Sequence, residues 1–352
     1  MPLLARSVPT PVTIAVGRGT IARLTEVLAD GRISTGGRIA VALGPGHGHD
    51  IADLVDKAVP TATVLPLAGG TLDAALDLIG RLRSGRYDAV VGIGGGKALD
   101  AAKYAASMVG RPFVAVATAL SNDGVASPVA SLDSHGRRAS YGVHIPIAVI
   151  VDIDYVLHSP VEHRRSGVGD VVSNLAALAD WRLAAAVTGE QLDGLAVTLA
   201  RSAAEAVITG DAGCDDGAFL TTLAESLILS GSAMTVAGTS RPCSGACHEI
   251  SHALDASHGS PGPHGHQVAL GALFAAWLHG DGELVGRLES CLRRHDLPRT
   301  PGDLGLTADE FCAAVAEAPH TRPARFTVLE HLAMDHRQIK EQVDAFIATF
   351  DR

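Results

Sequence analysis

Aromatic residues are scarce in this chain: Phe, Tyr and Trp together make up 4% of its 352 residues. Proteins that stack nucleic-acid bases need such rings, so a base-stacking platform is not expected. An excess of positive charge is also missing, since 28 Lys and Arg face 38 Asp and Glu, a formal net charge of −10. We therefore expect no nucleic-acid partner, although this balance still allows a local cationic pocket.

Long apolar runs and a cysteine framework are absent as well. The most hydrophobic stretches are interrupted within about a dozen residues, short of the ~18 that cross a bilayer. The first thirty residues hold no apolar run leading to a small-residue cleavage site. Five scattered cysteines, an odd number, predict reduced thiols rather than disulfides. These features predict a cytoplasmic protein that does not insert into a membrane.

Short apolar runs alternate with helical patterns in the first half of the chain. The runs cover residues 11–16, 38–43, 62–67, 87–93, 111–118 and 146–152. Strands that are apolar on both faces and alternate with helices are typical of a parallel sheet covered on each side. We predict a nucleotide-type α/β domain over residues 1–160, with a β-hairpin over residues 127–141 inserted before its last strand.

Strand signals almost vanish after residue 161. Ala and Leu recur on repeating faces and predict helices over residues 161–187, 190–209, 217–237, 264–279 and 335–350. We therefore predict an all-helical domain over residues 161–352. Because no low-complexity linker separates the two halves, we expect closely packed domains with a cleft between them.

Three consecutive glycines follow a predicted strand and open a predicted helix, in the sequence VVGIGGGKALDAAK of residues 90–103. Gly94, Gly95 and Gly96 would let the backbone approach a ligand while free helix N–H groups face an anion, which fits pyrophosphate. Neither common glycine-rich phosphate motif matches, because Lys97 replaces a glycine in one and Ala98 replaces Ser or Thr in the other. A phosphate site and a plain tight turn both stay open on these residues alone.

A second polar loop, ATALSNDGVASP over residues 117–128, follows the next predicted strand. Ligands of open parallel sheets gather at the carboxyl ends of strands, so this loop and the glycine turn are expected to face one cleft. Its hydrogen-bonding side chains are Thr118, Ser121, Asn122, Asp123 and Ser127. The alternative is a capped turn, since Ser-Asn-Asp-Gly is also ordinary turn chemistry.

Residues that commonly bind metals are concentrated in the helical half. Asp170 is expected at the start of a helix, and His264 is expected at the start of another after a Gly/Pro turn. His248 and His252 are four residues apart and therefore project from one helix face. One carboxylate and two imidazoles, Asp170, His248 and His264, would form a metal site with one coordination position open for substrate.

Two alternatives to this ligand set stay open. His266 lies two residues beyond His264, so either histidine could be the third ligand. Cys243 and Cys247 have the spacing of a zinc-finger pair. Neither flank resembles a finger, however, and a chain of this length does not need a metal staple.

Four linked motifs resemble the sn-glycerol-1-phosphate dehydrogenase family, whose superfamily also contains iron-containing alcohol dehydrogenases, glycerol dehydrogenase and dehydroquinate synthase. The motifs are GGGKALDAAK, TALSNDGVASP, GVGDVVSNLAALADWRL, and SGACHEISHALD with a later HGHQ. The likeness runs in the same order over about residues 12–280. It implies an N-terminal Rossmann-like domain, a C-terminal helical domain, and NAD or NADP that meets one divalent metal in the cleft. Zinc is the usual metal of that family, so the resemblance favours zinc over iron.

The resemblance also implies roles for individual residues by motif position. The metal ligands would be Asp170, His248 and His264. The catalytic positions, as substrate contacts, would be Asp123 and His252. The residues lining the dinucleotide would be Gly94, Gly95, Gly96, Lys97, Thr118, Ser121 and Ser127.

The activity implied by the resemblance is the interconversion of dihydroxyacetone phosphate and sn-glycerol 1-phosphate by a homo-oligomer that serves phospholipid metabolism. A metal held by one carboxylate and two neutral imidazoles stays positive and would polarise a ketone oxygen while the nicotinamide delivers hydride. The alternatives are a sugar-phosphate cyclase (lyase) of the dehydroquinate synthase type and a non-catalytic binding protein. Departures from the family pattern at Ala117 and His266 bear on the exact substrate.

Two features of the substrate and cofactor stay open. The substrate phosphate needs cations, and the candidates are Lys97, Arg137, Arg138, Arg164, Arg165 and Arg241. The loop after the second strand, residues 44–50, would select NAD or NADP and contains no clear cue for either.

Overall fold

Strands fill the first half of the protein. The computed structural model describes residues 8–46, 59–134 and 137–351, together with residues 51, 55 and 57. Its strands are β1 Thr13–Gly17, β2 Ile39–Leu43, β3 Ala62–Pro66, β4 Ala89–Gly94, β5 Phe113–Ala117, β6 Val129–Ser134, β7 Arg137–Gly142 and β8 Ala148–Asp152. The six predicted sheet strands and the predicted hairpin, β6 and β7, are all present.

Six of the strands form one parallel sheet in the order β1-β8-β5-β4-β2-β3. Every residue of β2, β5 and β8 is buried, as expected for strands covered on both faces. Gly94 at the end of β4 lies in register with Ala117 at the end of β5. The glycine turn and the polar loop therefore leave the sheet side by side, at the edge where such folds bind ligands.

Helices cover the sheet and make up the second half. Those of the first half whose bounds the structure describes are α1 Leu24–Leu28, α2 Leu72–Gly85 and α3 Gly96–Met108, and residues 51, 55 and 57 are also helical. Among residues 153–351 there are helices and no strand. These helices are α4 Ile153–His158, α5 Val161–Val172, α6 Asn174–Thr188, α7 Gly194–Ile208, α8 Gly217–Ala237, α9 Ala246–His258, α10 His264–Leu278, α11 Gly282–Arg294, α12 Ala308–Thr321, α13 Val328–Leu332 and α14 His336–Phe350.

Aspartate side chains set the start of several of these helices. Asp193, Asp216 and Asp281 each accept a hydrogen bond from the backbone N–H three residues further on. Such N-caps satisfy a helix donor that would otherwise have no partner. The helix predicted over residues 190–209 consequently begins only at Gly194, after Asp193.

One predicted helix is in fact two. Residues 161–187 divide into α5 and α6 at Ser173, whose hydroxyl donates to the Asp170 carbonyl at 2.7 Å. Asp170 therefore lies in the last turn of α5, and its prediction as a helix start is wrong. Helices α4, α11, α12 and α13 were not predicted from the sequence.

A continuous hydrophobic core joins the sheet to the helices. Val90 and Ala115 of the sheet belong to the same buried cluster as Leu273 of α10 and Phe346 of α14. Their strand neighbours, such as Val116, face a second cluster on the opposite side of the sheet. The domain boundary between residues 160 and 161 stays a prediction, since both halves contribute to one core.

Helix α8 lies against the polar loop that follows β5. It is the one helix among the described residues long and apolar enough, by length and composition, to cross a bilayer, and 61% of its most apolar window is buried inside the protein. A Cβ at Gly231 would lie 2.6 Å from the carbonyl carbon of Ala126. The missing side chain lets α8 approach the loop that contains Asp123.

Candidate metal and dinucleotide site

Asp170, His248 and His264 come together in space from three helices, α5, α9 and α10. One ligand atom from each lies within 4.8 Å of the other two. Nε2 of His248 is 3.8 Å, and Nε2 of His264 3.9 Å, from Oδ1 of Asp170. The donor set, one carboxylate oxygen and two imidazole nitrogens, has the chemistry of a catalytic zinc or iron site with an open position.

Close helix packing brings these ligands together. Gly265 of α10 lies against Ser166 of α5, where a Cβ would clash with the Ser166 carbonyl oxygen, and a Cβ at Gly169 would clash with the Gly265 carbonyl. The backbone N–H of Gly265 donates to the Ser166 hydroxyl at 3.0 Å. Two glycines thus allow α5 and α10 to touch beside Asp170 and His264.

Both histidines of this cluster are held in the neutral form. Burial lowers the pKa of His248 and of His264 well below the usual value, and the neighbouring positive groups add to the effect. Arg138 lowers the pKa of His264 and Arg322 that of both rings. Only an unprotonated ring nitrogen binds a metal, so these imidazoles fit the role.

Asp123 lies next to Asp170, and both line a cavity that also contains His248 and His264. Its backbone N–H donates to Oδ2 of Asp170 at 2.8 Å, which orients that carboxylate and leaves Oδ1 toward the histidines. Burial raises the pKa of Asp170 to about 7. Burial, together with the negative charge of Asp170, raises the pKa of Asp123 well above its usual value. Two carboxyls so close would be stabilised in their charged form by a cation between the ligands.

A buried ion pair supports the loop that contains Asp123. The fully buried Lys103 lies 3.1 Å from Asp100 Oδ1 and donates to the carbonyls of Gly124 and Ser127 at 2.6 and 3.2 Å. Asp100 also accepts the N–H of Ser131 at 3.1 Å. Because each charge has more than one partner, the pair ties α3 to the second half of the loop and to β6.

The glycine turn forms one wall of a cavity of about 550 Å³. Gly94 has a φ of 150°, a conformation that favours glycine. Gly95 precedes α3 and makes no side-chain cap, so the first N–H groups of the helix remain available to an anion. The predicted dinucleotide residues that line this cavity are Gly94, Gly95, Gly96, Lys97, Thr118 and Ser121.

Ser127 is the one predicted dinucleotide residue that the structure places elsewhere. It is buried beside the cluster formed by Asp170, His248 and His264, which we call the ligand cluster. There its hydroxyl donates to the Val129 carbonyl at 3.2 Å. Residues 47–50 of the predicted NAD or NADP selecting loop lie outside the described residues. A larger cavity of about 830 Å³ contains none of the predicted site residues.

The cavity at the ligand cluster includes both predicted substrate contacts, Asp123 and His252. His252 faces Arg322, with 3.0 Å between its Nε2 and the guanidinium Nη2. Since a guanidinium only donates, Nε2 of His252 accepts this hydrogen bond. Burial, together with the charge of Arg322, lowers the pKa of His252 to about 4. Arg322 and Arg138 also line an outer cavity of about 560 Å³.

Most of the other candidate cations for the substrate phosphate are engaged elsewhere. Arg164 pairs with Asp215, Arg165 with Glu162 and Asp296, and Arg241 with Glu190. Lys97 lines the glycine cavity, and the Arg137 side chain lies outside the described part. Arg138 lines the cavity that contains Asp170, His248 and His264 and also lies 3.8 Å from Oδ2 of Asp255. Arg322, which was not among the predicted cations, lines the same cavity.

The structure distinguishes the predicted ligand His264 from the two alternatives, His266 and the pair Cys243 and Cys247. Nε2 of His266 lies 3.4 Å from Oε2 of Glu162, on a different side of α10 from Asp170. Cys243 and Cys247 are buried, and burial raises the pKa of the Cys247 thiol to about 12. Neither thiol belongs to the group of metal-type side chains that the described residues bring together, so the structure gives the zinc-finger alternative no support.

Comparisons with known proteins agree with this architecture. The family model "Iron-containing alcohol dehydrogenase" matches residues 15–160. A glycerol-1-phosphate dehydrogenase (NAD(P)+) from Hyperthermus butylicus is 36% identical over 91% of this chain and 92% of its own length. One from Archaeoglobus fulgidus is 39% identical over 69% of this chain and 71% of its own.

Solved structures share the fold at low sequence identity. A probable glycerol dehydrogenase from Sinorhizobium meliloti superposes with a TM-score of 0.78 at 21% identity, covering 99% of both chains. A sulfoacetaldehyde reductase from Bifidobacterium kashiwanohense, solved with NAD+, has a TM-score of 0.75 at 18% identity and covers 98% of this chain and all of its own. The fold and the full-length sequence similarity together show that the chain belongs to the glycerol-1-phosphate dehydrogenase family.

Proposed function

We propose that this chain is a metal-dependent, NAD(P)-linked dehydrogenase that interconverts dihydroxyacetone phosphate and sn-glycerol 1-phosphate. The observation that carries the proposal is the junction of two cavities. The cavity at the glycine turn and the cavity at the ligand cluster share Asn122, Arg138 and His264. A nicotinamide bound in the first would face a ketone bound in the second.

The residues present fit a divalent metal at Asp170, His248 and His264. Two neutral imidazoles and one carboxylate leave the bound ion with net positive charge. Such an ion supplies Lewis-acid polarisation of the substrate ketone. The proposal of zinc rather than iron rests on the family resemblance, since this donor set suits both metals.

The protein's own groups would bind the two ends of the substrate and the cofactor. The glycine turn and the start of α3 favour the cofactor's pyrophosphate. Arg138 and Arg322 are placed to receive the substrate phosphate, since both line the outer cavity that adjoins the ligand cluster. We assign His252 to orienting Arg322 rather than to proton transfer, because its Nε2 is occupied by that guanidinium.

A cofactor-coupled assay tests the proposal. We expect the purified, zinc-loaded protein to oxidise NADH or NADPH with dihydroxyacetone phosphate, and to reduce NAD+ or NADP+ with sn-glycerol 1-phosphate but not with its 3-phosphate enantiomer. Free dihydroxyacetone should react poorly because it lacks the anion for Arg138 and Arg322. Removal of the metal with a chelator should abolish turnover, and addition of zinc should restore it.

Two outcomes would overturn this assignment. Absence of cofactor oxidation across a panel of phosphorylated and free ketoses would exclude the dehydrogenase. Release of phosphate from a sugar phosphate at constant NADH absorbance would instead identify the lyase alternative, which the named relatives do not favour.

The remaining proposals concern the setting of the enzyme. We propose a homo-oligomer in the cytoplasm whose product enters phospholipid synthesis, as the family resemblance implies. Sedimentation velocity of the purified protein tests the oligomeric state directly.

A further inference from the structure

The two ring nitrogens of His264 have different surroundings. Nε2 faces Oδ1 of Asp170 at 3.9 Å, and Nδ1 lies 3.3 Å from the hydroxyl of Ser251. A neutral imidazole has one protonated and one unprotonated nitrogen, and only the unprotonated one binds a metal. The groups on the Nδ1 side therefore decide whether His264 presents a lone pair to the site.

Gln267 fixes the direction of the hydrogen bonds behind His264. Its Nε2 lies 3.0 Å from Oδ1 of Asp255 and 3.1 Å from the Gly262 carbonyl. A backbone carbonyl can only accept, so the NH2 group of the amide must lie on this side. The amide oxygen then faces the Ser251 hydroxyl at 3.0 Å, and Ser251 donates to it.

Ser251 thereby becomes an acceptor for His264. With its single proton given to Gln267, the Ser251 oxygen has only lone pairs for the imidazole, so Nδ1 of His264 must donate. Ser251 and Gln267 are fully buried, which excludes solvent as a substitute partner. The hydroxyl of Ser260 donates to Oδ1 of Asp255 at 2.6 Å and so helps to fix Asp255 at the far end of this series of hydrogen bonds.

We propose that Asp255, Gln267 and Ser251 form a positioning relay that keeps His264 protonated at Nδ1 and directs its Nε2 lone pair to the metal. The proposal rests on the proposed function only in taking Asp170, His248 and His264 as the metal ligands. His248 has no equivalent support, since its Nδ1 faces the Cys247 sulfur at 3.3 Å, a weak partner. The relay thus makes His264 the preorganised ligand of the pair.

Metal affinity is the first test. In competition with a chromophoric chelator, Ser251→Ala and Gln267→Met should weaken zinc binding roughly 10- to 100-fold, the range found when partners behind a ligand are lost. The matched controls are Ser226→Ala, a buried serine of α8, and Gln342→Met, whose amide accepts from Trp277. Both controls should bind zinc like the wild type. Unchanged affinity in the two relay variants would overturn the proposal.

The tautomer itself gives the second test, which needs neither substrate nor metal. In two-bond proton–nitrogen spectra of the metal-free protein labelled with nitrogen-15 histidine, His264 should show a protonated Nδ1 and an unprotonated Nε2. Loss of its signals in His264→Gln assigns the ring. A wild-type ring protonated at Nε2 would contradict the relay even if Ser251→Ala failed to fold. A failed substrate assay would leave both tests intact, whereas a wild type that binds no zinc would overturn the ligand assignment itself.

Discussion

A histidine serves a metal only when one of its ring nitrogens reaches the ion, and the two histidines at the start of α10 differ in this respect. His264 directs Nε2 toward Asp170, whereas His266 directs Nε2 toward Glu162. Successive residues of an α-helix are rotated by about 100° around its axis, so side chains two positions apart point to different sides of the helix. The choice between them depends on helix phase, which the sequence HGHQ alone left open.

Replacing each of these two histidines by alanine gives a matched pair of variants. We expect His264→Ala to lose stoichiometric zinc and nearly all turnover, and His266→Ala to retain zinc, because only His264 contributes to the cluster with Asp170 and His248. Elemental analysis of the purified variants measures this directly. Retention of zinc in His264→Ala with its loss in His266→Ala would show that the third ligand is misassigned.

Residue types and spacing predicted the ligands, but they could not predict the side chains that orient the ligands and the substrate contacts. Asp170, His248 and His264 are recognisable because few side chains bind metals and these three sit in suggestive motifs. Arg322 carried no such signal: it follows the ligand motifs by more than fifty positions in the chain and reaches His252 only through the fold. Ser251 and Gln267 are ordinary residues whose role appears only in their hydrogen-bond geometry.

At the scale of elements, the site depends on how closely two helices approach. Helices α5 and α10 touch at Gly169 and Gly265, where any side chain would meet backbone of the other helix. Backbone cannot yield as a flexible side chain can, so an added methyl group must separate the helices. Because Asp170 and His264 lie one residue away from these glycines, a separation there moves the ligands apart.

A glycine-to-alanine comparison tests this dependence. Gly265→Ala should lower the free energy of unfolding by about 1 to 3 kcal/mol, as overpacking does, and should weaken zinc binding. Gly286→Ala in α11, where a Cβ meets nothing within 4 Å, should instead stabilise the protein by about 0.5 to 1 kcal/mol. Chemical denaturation and zinc titration of both variants provide the measurement. Equal zinc affinity in wild type and Gly265→Ala would show that the close approach is not needed.

Element boundaries were predicted well where local chemistry sets them and poorly where tertiary contacts do. Strands such as β5 are apolar on both faces and flanked by polar turns, so their limits are visible in the sequence. The division of residues 161–187 at Ser173 is not, since Ser173 keeps helical dihedral angles and interrupts the helix only slightly. Helix α11 does carry a sequence signal that was not used, since Leu284, Leu288 and Leu292 recur every four positions and are buried.

At the scale of the whole molecule, acid should destabilise the fold through a buried histidine that does not belong to the ligand cluster. His295 is 3% exposed, stacks on Phe219 with ring centroids 5.0 Å apart, and contacts the Cys214 sulfur. Burial lowers its pKa to about 4, with a smaller contribution from Arg294. The unfolded chain therefore binds this proton first, near the usual histidine value, and the folded state loses stability as the pH falls from that value toward 4.

A variant isolates this contribution to the pH dependence of stability. Between about pH 7.5 and pH 5, the wild type should lose about 2 kcal/mol more unfolding free energy than His295→Asn, which has no titrating ring. Urea denaturation at the two pH values measures the difference. Identical pH dependence in His295→Asn and the wild type would contradict the assignment.

The overall architecture was the most predictable level. A parallel α/β half followed by a helical half was visible in the change from alternating strand and helix patterns to helices alone. The order of strands in the sheet was not, because all six are similarly apolar and nothing local distinguishes an edge from the centre. The packing of both halves into one core likewise depends on contacts between distant residues.

The strand order has a consequence for synthesis of the protein. Among the described strands, β1 stands at the edge of the sheet and pairs with β8 alone, with Thr13 beside Ala148. A nascent chain must therefore emerge from the ribosome through Asp152 before its first strand gains a partner, and closing so long a loop is slow. The amino-terminal segment, although made first, is among the last parts of the sheet to be secured, and until then its strand edge is open to chaperones.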